Sequence, residues 1–295
     1  MSATRVKLRD ATPEDLPALA GLRESVGWGV QEWALRAVLE SRRGTYRVAE
    51  DSDGAVIASG SGMVYGPLGV VGNMIVAPEH RRRGLGAQIL DAILEHLDRA
   101  GCVRQELYAT AAGRPLYRRH GFTLTEPGSH VRLPRSAFAT DAGAADPATQ
   151  VRRGGPADLA RLASYDTPRF GGDRSELLAR MLADDDRPLA LALALAQTGD
   201  EVVVGYAWLR PDGERIGPLL ADRPAIAEAL VRRAFAWAPS VTELTINLPT
   251  SNRPGMAWLA ERGIGVDPWD GRMARGQELP RRDDTIYASV VGALG

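Results

Sequence analysis

The chain has 295 residues, of which 44% are hydrophobic and 25% charged, and its formal net charge is −1 at neutral pH. That length accommodates one large or two ordinary domains of a soluble protein. A near-neutral balance without a basic, aromatic-interleaved face excludes any global pull toward nucleic acid or anionic membrane, so a phosphate site must be local.

One cysteine, Cys102, excludes an internal disulfide and reads as a small buried hydrophobe in a reducing compartment. The first residues lack the apolar core of a signal peptide, and the longest apolar run, Leu189 to Ala196, is too short to span a membrane. A cytoplasmic protein is the expectation.

Val6 to Arg9 read as a first strand. Thr12-Pro13-Glu14-Asp15 is a helix start, with a cap, a proline at the first helical position and acids in the first turn; Leu16, Leu19, Ala20 and Arg23 continue it. A second helix carries Trp33, Ala37 and Val38 on one side. Tyr46 to Glu50 is a strand, Asp51 to Gly54 a turn, and Ala55 to Val64 a small-residue strand returning as a hairpin. Met74-Ile75-Val76 belong to a central strand that Pro78 closes, because proline cannot donate to a ladder. From Leu85 the apolar period becomes helical, with Ile89, Leu90, Ile93, Leu94 and Leu97 on one side and Asp91, Glu95 and Asp98 on the other. Glu106 to Thr110 is a further strand. A short helix through Leu116-Tyr117 stops at Gly121, and His130 to Leu133 is a closing strand.

Arg81-Arg82-Arg83-Gly84-Leu85-Gly86-Ala87 therefore sits where a strand turns into a helix. The first amides of a helix have no internal partner, and the helix dipole adds positive charge there. Glycines let a phosphate approach the backbone, and three arginines supply permanent charge. Strand, proline stop, loop and amphipathic helix together favour a pyrophosphate cradle over a solvated basic turn.

Val76-x-Pro78-x-x-Arg81-x-x-Gly84-x-Gly86 resembles the acyl-CoA loop of the GNAT superfamily of N-acyltransferases, and Leu116-Tyr117 with Gly121-Phe122 resembles that family's final helix. The resemblance covers about Val6 to Leu133. It implies an α/β (α+β) fold: a mixed, mostly antiparallel sheet with helices on both faces and a splayed central strand pair. It also implies acetyl-CoA as co-substrate, bound by Met74, Ile75, Val76, Arg81, Arg82, Arg83, Gly84, Leu85, Gly86 and Ala87, with no metal. The family's usual asparagine before the final helix is Thr110 here.

The chain then repeats. Leu8 to Leu16 aligns with Val151 to Leu159 (158 − 15 = 143), and Gly121 aligns with Gly263 (263 − 121 = 142). Two GNAT-like domains are expected, at 1–136 and 150–295, joined by a linker at 137–149 that lacks large apolar residues after Phe138. The second copy has lost the arginine–glycine loop between its central strand, Arg215 to Leu220, and the helix from Ala225, and Leu259 replaces Tyr117. A scaffolding, acceptor-shaping or dimer-forming role suits it.

The resemblance implies direct attack of a primary amine on the thioester. The strand backbone then stabilises the oxyanion, and Tyr117 protonates the departing thiolate. The sequence offers no carboxylate in Val70-Val71-Gly72-Asn73, so water carries the amine proton by default, with Glu32, Glu50, Glu106 and His130 as other candidate bases. Trp28, Glu32 and Trp33 lie where the family lines the acceptor side, and aromatics with one acid suit an amine with apolar surface. The expected activity is N-acetylation of a small-molecule amine by a monomer or homodimer. The alternatives are a protein N-acetyltransferase and a non-catalytic acyl-CoA-binding sensor.

Overall fold

The computed structural model describes residues 6–139, 149–184, 186, 188–195, 200–210, 214–290 and 292–295. The first copy runs β1 (Lys7–Asp10), α1 (Leu16–Glu24), α2 (Glu32–Leu39), β2 (Gly44–Glu50), β3 (Val56–Tyr65), β4 (Leu68–Val76), α3 (Leu85–Arg99), β5 (Arg104–Ala109), α4 (Arg114–Arg119) and β6 (Thr123–Pro134). The second runs β7 (Thr149–Arg153), α5 (Leu159–Phe170), α6 (Ser175–Leu182), β8 (Leu189–Leu195), β9 (Glu201–Leu209), β10 (Ile216–Ala221), α7 (Pro224–Trp237), β11 (Glu243–Pro249), α8 (Arg253–Glu261), β12 (Asp267–Gly276) and β13 (Ile286–Ala288).

The repeat read from sequence has a physical counterpart. Asp15 takes a bidentate bond from Arg9 (2.6 and 2.7 Å) and accepts the Thr12 amide at 2.7 Å. Asp158 takes the same fork from Arg152 (2.8 and 2.6 Å) and accepts the Gly155 amide at 3.0 Å. One carboxylate thus pins a strand to the helical turn that follows it in each copy. The final helices match too. Phe122 N–H donates to Tyr117 C=O and Ile264 N–H to Leu259 C=O, over Gly121 and Gly263 at positive φ.

The chain forms two compact units whose segments are not contiguous: the chain to Leu124 with Arg272–Leu279 and Gly292–Gly295, and Thr125–Gly271 with Pro280–Val291. In the first unit β1, β2, β3 and β4 pair antiparallel in order, and β5 joins β4 in parallel. The small residues of the hairpin strand have a structural purpose. A Cβ on Gly60 or Gly62 would meet Ile93 at 2.8 Å, so α3 lies close against this face. Leu22 of α1 packs with Ile75 on the other face, which puts helices on both faces of a mixed sheet, as the resemblance implied.

In the second unit β7, β8, β9 and β10 pair antiparallel, and β13 pairs antiparallel with β10. The core gathers Leu219, Ile226, Leu230, Leu244, Leu248 and Trp258.

The expected closing strand differs in its partner. His130 to Leu133 lie in β6, which pairs antiparallel with β11 from Gly128↔Pro249 to Pro134↔Glu243, inside the second unit. Arg275 and Gln277 lie against β5 in the first unit, through Arg275 Nε to Gln105 Oε1 (2.5 Å) and Gln277 N–H to Val103 C=O (2.9 Å). The copies have exchanged terminal strands, so the division expected near 136 and 150 does not follow the compact units. Strand periodicity fixes which face a residue takes but not which sheet edge accepts the strand. Of the linker expected at 137–149, residues 140–148 lie outside those described. Phe138 is buried, with its ring 5.8 Å from Trp258 and 6.0 Å from Phe235.

Asp158→Asn keeps the side-chain size but forfeits the charge-assisted fork, and should lower unfolding stability by about 1–3 kcal/mol in urea titration. The Arg152 guanidinium holds the Asp158 carboxyl below the usual carboxylate range. A depressed acid stabilises above its ordinary value, so this contribution is full above pH ~4 and is lost as pH falls through the lowered one.

Candidate active site

The pairing of β4 with β5 is confined to Leu68, Val70 and the residue between them, opposite Arg104 to Glu106. Beyond Val70 the two strands part. Asn73 makes the departure local: its φ is +50°, and Ser61↔Gly72 and Ser59↔Ile75 enclose one extra residue on β4, a β-bulge. The Ala77 amide donates to Ile57 of β3 at 2.9 Å. Alternation along an antiparallel pair then turns the amides of Val76 and Met74 to the open edge. Val76 C=O, accepting Arg81 Nε at 3.1 Å, faces the same way. Ile75 is corrected by this geometry: its amide turns toward β3 and its side chain is buried beside Leu22.

After β4, Pro78–His80 form one helical turn, and the chain reaches α3 through Arg81, Arg82, Arg83 and Gly84. Gly84 caps α3 at φ +84° and Arg82 stands at φ +61°. The amides of Arg82, Arg83, Gly84, Leu85 and Gly86 have no hydrogen-bond partner among the described residues. All three arginines are exposed. Arg83 Nη2 reaches Glu79 C=O at 3.1 Å and braces the loop. Consecutive unpaired amides at a helix start, beside three exposed guanidinium groups, are a donor set suited to an anion. The donor set fits a diphosphate. Gly86 meets Leu116 and Val76 only at ordinary contact distance, so it is not sterically obligatory as Gly84 is.

Tyr117, on α4, is buried, with its ring edge-on to Phe122 at 6.1 Å. Its hydroxyl has no protein partner among the described residues and is not among the sealed polar atoms. Burial pushes the phenol up to about 12, so it carries its proton across the physiological range.

The C-terminal residues of the first unit pack against β3, β4 and β5 in a way that was not legible in the sequence. Gly72 is pressed by Ala293 so closely that no Cβ fits, Gly292 lies against the Tyr108 ring and Cβ, and the Tyr65 hydroxyl donates to Leu294 C=O at 3.0 Å. In the second unit the corresponding gap is closed. β10 and β11 touch in parallel at Arg215 and Thr245, and β13 pairs along β10 beyond that point. Asn252, aligned with Thr110 (252 − 142 = 110), donates to Ile286 C=O of that strand at 2.9 Å. Between β10 and α7 the second copy has only Asp222 and Arg223, where the first has residues 77–84.

Of the residues expected on the acceptor side, Trp28 is 39% exposed and Trp33 half-buried, whereas Glu32 points to solvent and pairs with Arg36 at 2.8 Å. The other candidate bases are also engaged. Glu50 pairs with Arg9, Glu106 with Arg104, and His130 bonds Asn247 in the second unit. Cys102 is buried and its thiol is pushed up to about 11 by desolvation, which makes it inert at neutral pH. Arg23, which the sequence offered only as a helix residue, is buried and donates to Asn73 Oδ1 at 2.8 Å; a lone arginine in a helical pattern carries no sign of this. Among the described residues no helix is long and apolar enough to cross a membrane, and no metal-binding group of His, Cys, Asp or Glu is drawn together.

Comparison with known proteins gives two matches to acetyltransferase (GNAT) domain families, over residues 42–124 and 162–288. The chain is 25% identical over 290 residues to the uncharacterized N-acetyltransferase YitH of Bacillus subtilis, covering 98% of each chain. Its fold resembles a provisionally assigned acetyltransferase of Pyrococcus horikoshii (TM-score 0.78, 20% identity, 100% of this chain and 98% of that one). It also resembles a tandem GNAT protein from the clavulanic acid biosynthesis pathway (TM-score 0.65, 15% identity, 92% and 98%).

Subtracting the ultraviolet pH titration of Tyr117→Phe from that of the native chain should isolate one phenol that stays protonated to pH ~11, above the ordinary tyrosine value of about 10. A midpoint near 10 would mean the ring is not desolvated as described.

Proposed function

The chain belongs to the GNAT acetyltransferase family as a tandem member, and we propose that its first unit moves the acetyl group of acetyl-CoA to a primary amine of a small molecule. The observation that carries this reading is the run of unpartnered amides from Arg82 to Gly86, together with the unpaired edge of β4 at Met74 and Val76. The amides of Leu85, Gly86 and the loop before them, with Arg81, Arg82 and Arg83, hold the diphosphate. Ala87 extends the helix turn behind them; its own amide is spent on Gly84 C=O at 3.1 Å, so it shapes the cradle rather than donating to it.

Bound acetyl-CoA supplies the activated thioester. The open edge of β4 aligns it, and the amides at Met74 and Val76 stabilise negative charge on its carbonyl oxygen as the amine adds. The carbon–sulfur bond then breaks, and Tyr117 gives its hydroxyl proton to the sulfur. The amine's proton leaves to water, since Glu32, Glu50, Glu106 and His130 are each bonded elsewhere. Water returns a proton to Tyr117, which balances the cycle.

The second unit serves as scaffold in this reading. Its strand gap is taken by β13, its connection into α7 is too short to form a cradle, and Leu259 cannot donate a proton.

The decisive assay is thiol release from acetyl-CoA by the full chain across a panel of primary amines; no release above the water rate with any amine would end the transferase reading. Tyr117→Phe should lower kcat about 100-fold or more with little change in acetyl-CoA affinity, the signature of a lost proton donor. Gly84→Glu puts a carboxylate in the anion receptor at a left-handed position, and should abolish acetyl-CoA binding in calorimetry while the protein stays folded.

A further inference from the structure

We infer that the acceptor carries a carboxylate close to its amine, as an amino acid does, and that Arg23 binds that carboxylate. This rests on the first unit being the transferase and narrows its substrate class.

Arg23 is a buried cation without a counter-charge among the described residues. Its residue exposure is 8%, and its three hydrogen bonds all go to neutral acceptors: Nε to Gly29 C=O (3.0 Å), Nη1 to Asn73 Oδ1 (2.8 Å) and Nη2 to Trp28 C=O (3.3 Å). A guanidinium has five N–H donors, so one N–H is left on each terminal nitrogen. The ionisable group acting on it among the described residues is the Tyr46 phenol, and burial lowers the Arg23 pKa with no carboxylate to restore it. The Tyr46 hydroxyl is itself sealed from solvent without a well-formed hydrogen bond. A desolvated guanidinium with only neutral acceptors is an unfavourable arrangement for stability, and paired donors on one planar fork suit a carboxylate.

The second unit neutralises its own buried arginine, with side chains from different positions. The residue aligned with Arg23 is Asp166 (166 − 143 = 23), and it is fully buried. There Arg174 donates to Asp166 through Nε (3.0 Å) and Nη2 (2.6 Å), and the Tyr206 hydroxyl donates to the same carboxylate at 2.5 Å. Arginine, tyrosine and carboxylate are all present in the unit that lacks a cradle. In the unit that has one, arginine and tyrosine are present and the carboxylate is missing.

Position connects the cluster to the chemistry. Arg23 grips the side chain of Asn73, the bulge residue directly before Met74, whose amide faces the thioester. An acid group held there lies close to the attacking nitrogen, which a compact amino acid satisfies and a peptide amino terminus does not. Trp28, whose ring centroid is 5.7 Å from the Arg23 guanidinium carbon, and Val30 are exposed on the same loop, so an apolar side chain on that amino acid has surface to cover.

The test uses the full chain, acetyl-CoA and matched acceptors: L-phenylalanine against L-phenylalaninamide and phenethylamine, and L-leucine against L-leucinamide. The acids should exceed their neutral partners in kcat/KM by about 100-fold or more. Arg23→Gln should remove that preference while acetyl-CoA binding is kept, and Arg23→Lys should keep part of it. Equal or better use of the amides by the native chain, or a preference that survives in Arg23→Gln, overturns the inference; a purely structural Arg23 would lower both members of a pair alike.

If no amine is acetylated, the transferase reading fails separately, and binding still decides the anion site. N-acetyl-L-phenylalanine should raise the melting temperature and N-acetyl-L-phenylalaninamide should not, and no difference between them overturns the inference. Should Arg23→Gln fail to fold, the native pair and Arg23→Lys give the same decision.

Discussion

The site depends on an interruption of hydrogen bonding. β4 and β5 begin as ordinary parallel neighbours and stop pairing after Val70 and Glu106. A buried strand edge with unpaired amides is costly unless something else accepts from them. Asn73 fixes where this happens: its left-handed backbone inserts the bulge, while its side chain is tied to Arg23 and Ser61. Past Ala77 and the Pro78–His80 turn, whose amides at Ala77, His80 and Arg81 are bonded, the amides of Arg82 to Gly86 are again unpartnered. Strand edge and helix start thus each leave a set of backbone donors unpaired.

The second unit meets the same constraint with protein. β13 takes up the bonding edge of β10, and Asn252 fastens it by donating to Ile286. A gap filled from within the chain needs no ligand, which agrees with the loss of the loop and of the tyrosine there. The two copies thus share a backbone plan and differ in what completes it. The buried arginines show the same division. Arg174 is neutralised by Asp166, whereas Arg23 has only neutral acceptors.

Much of this was legible in the residues because it is written in local terms. Gly84 and Gly86 between an apolar strand and an amphipathic helix announced the loop at the start of α3, and Gly121 announced the helix stop after Tyr117. The repeat was visible in the segments around Asp15 and Asp158, because a carboxylate that caps a turn and grips a strand arginine needs fixed short spacing. Strand exchange was not legible. Thr125 to Pro134 and Arg272 to Leu279 have ordinary strand patterns, and the partner of such a strand is chosen by edges far away in sequence. Ile75 was grouped with Met74 and Val76 because an apolar run does not reveal which amide faces the neighbour. The bulge and the Ala77 bond to β3 decide that.

The sequence by itself determined the order of elements in the first copy, the duplication, the family and the positions of loop and tyrosine, since helix period, strand stop, turn residues and caps act over a few residues. Only the tertiary structure decided that Gly292 to Leu294 press against Tyr108, Gly72 and Tyr65, that β13 closes the second strand gap, and that Arg23 stands buried beside Tyr46 and Asn73 with no carboxylate partner among the described residues. Those facts depend on residues tens to hundreds of positions apart becoming neighbours. Burial, charge balance and hydrogen-bond satisfaction are properties of the packed neighbourhood rather than of the chain.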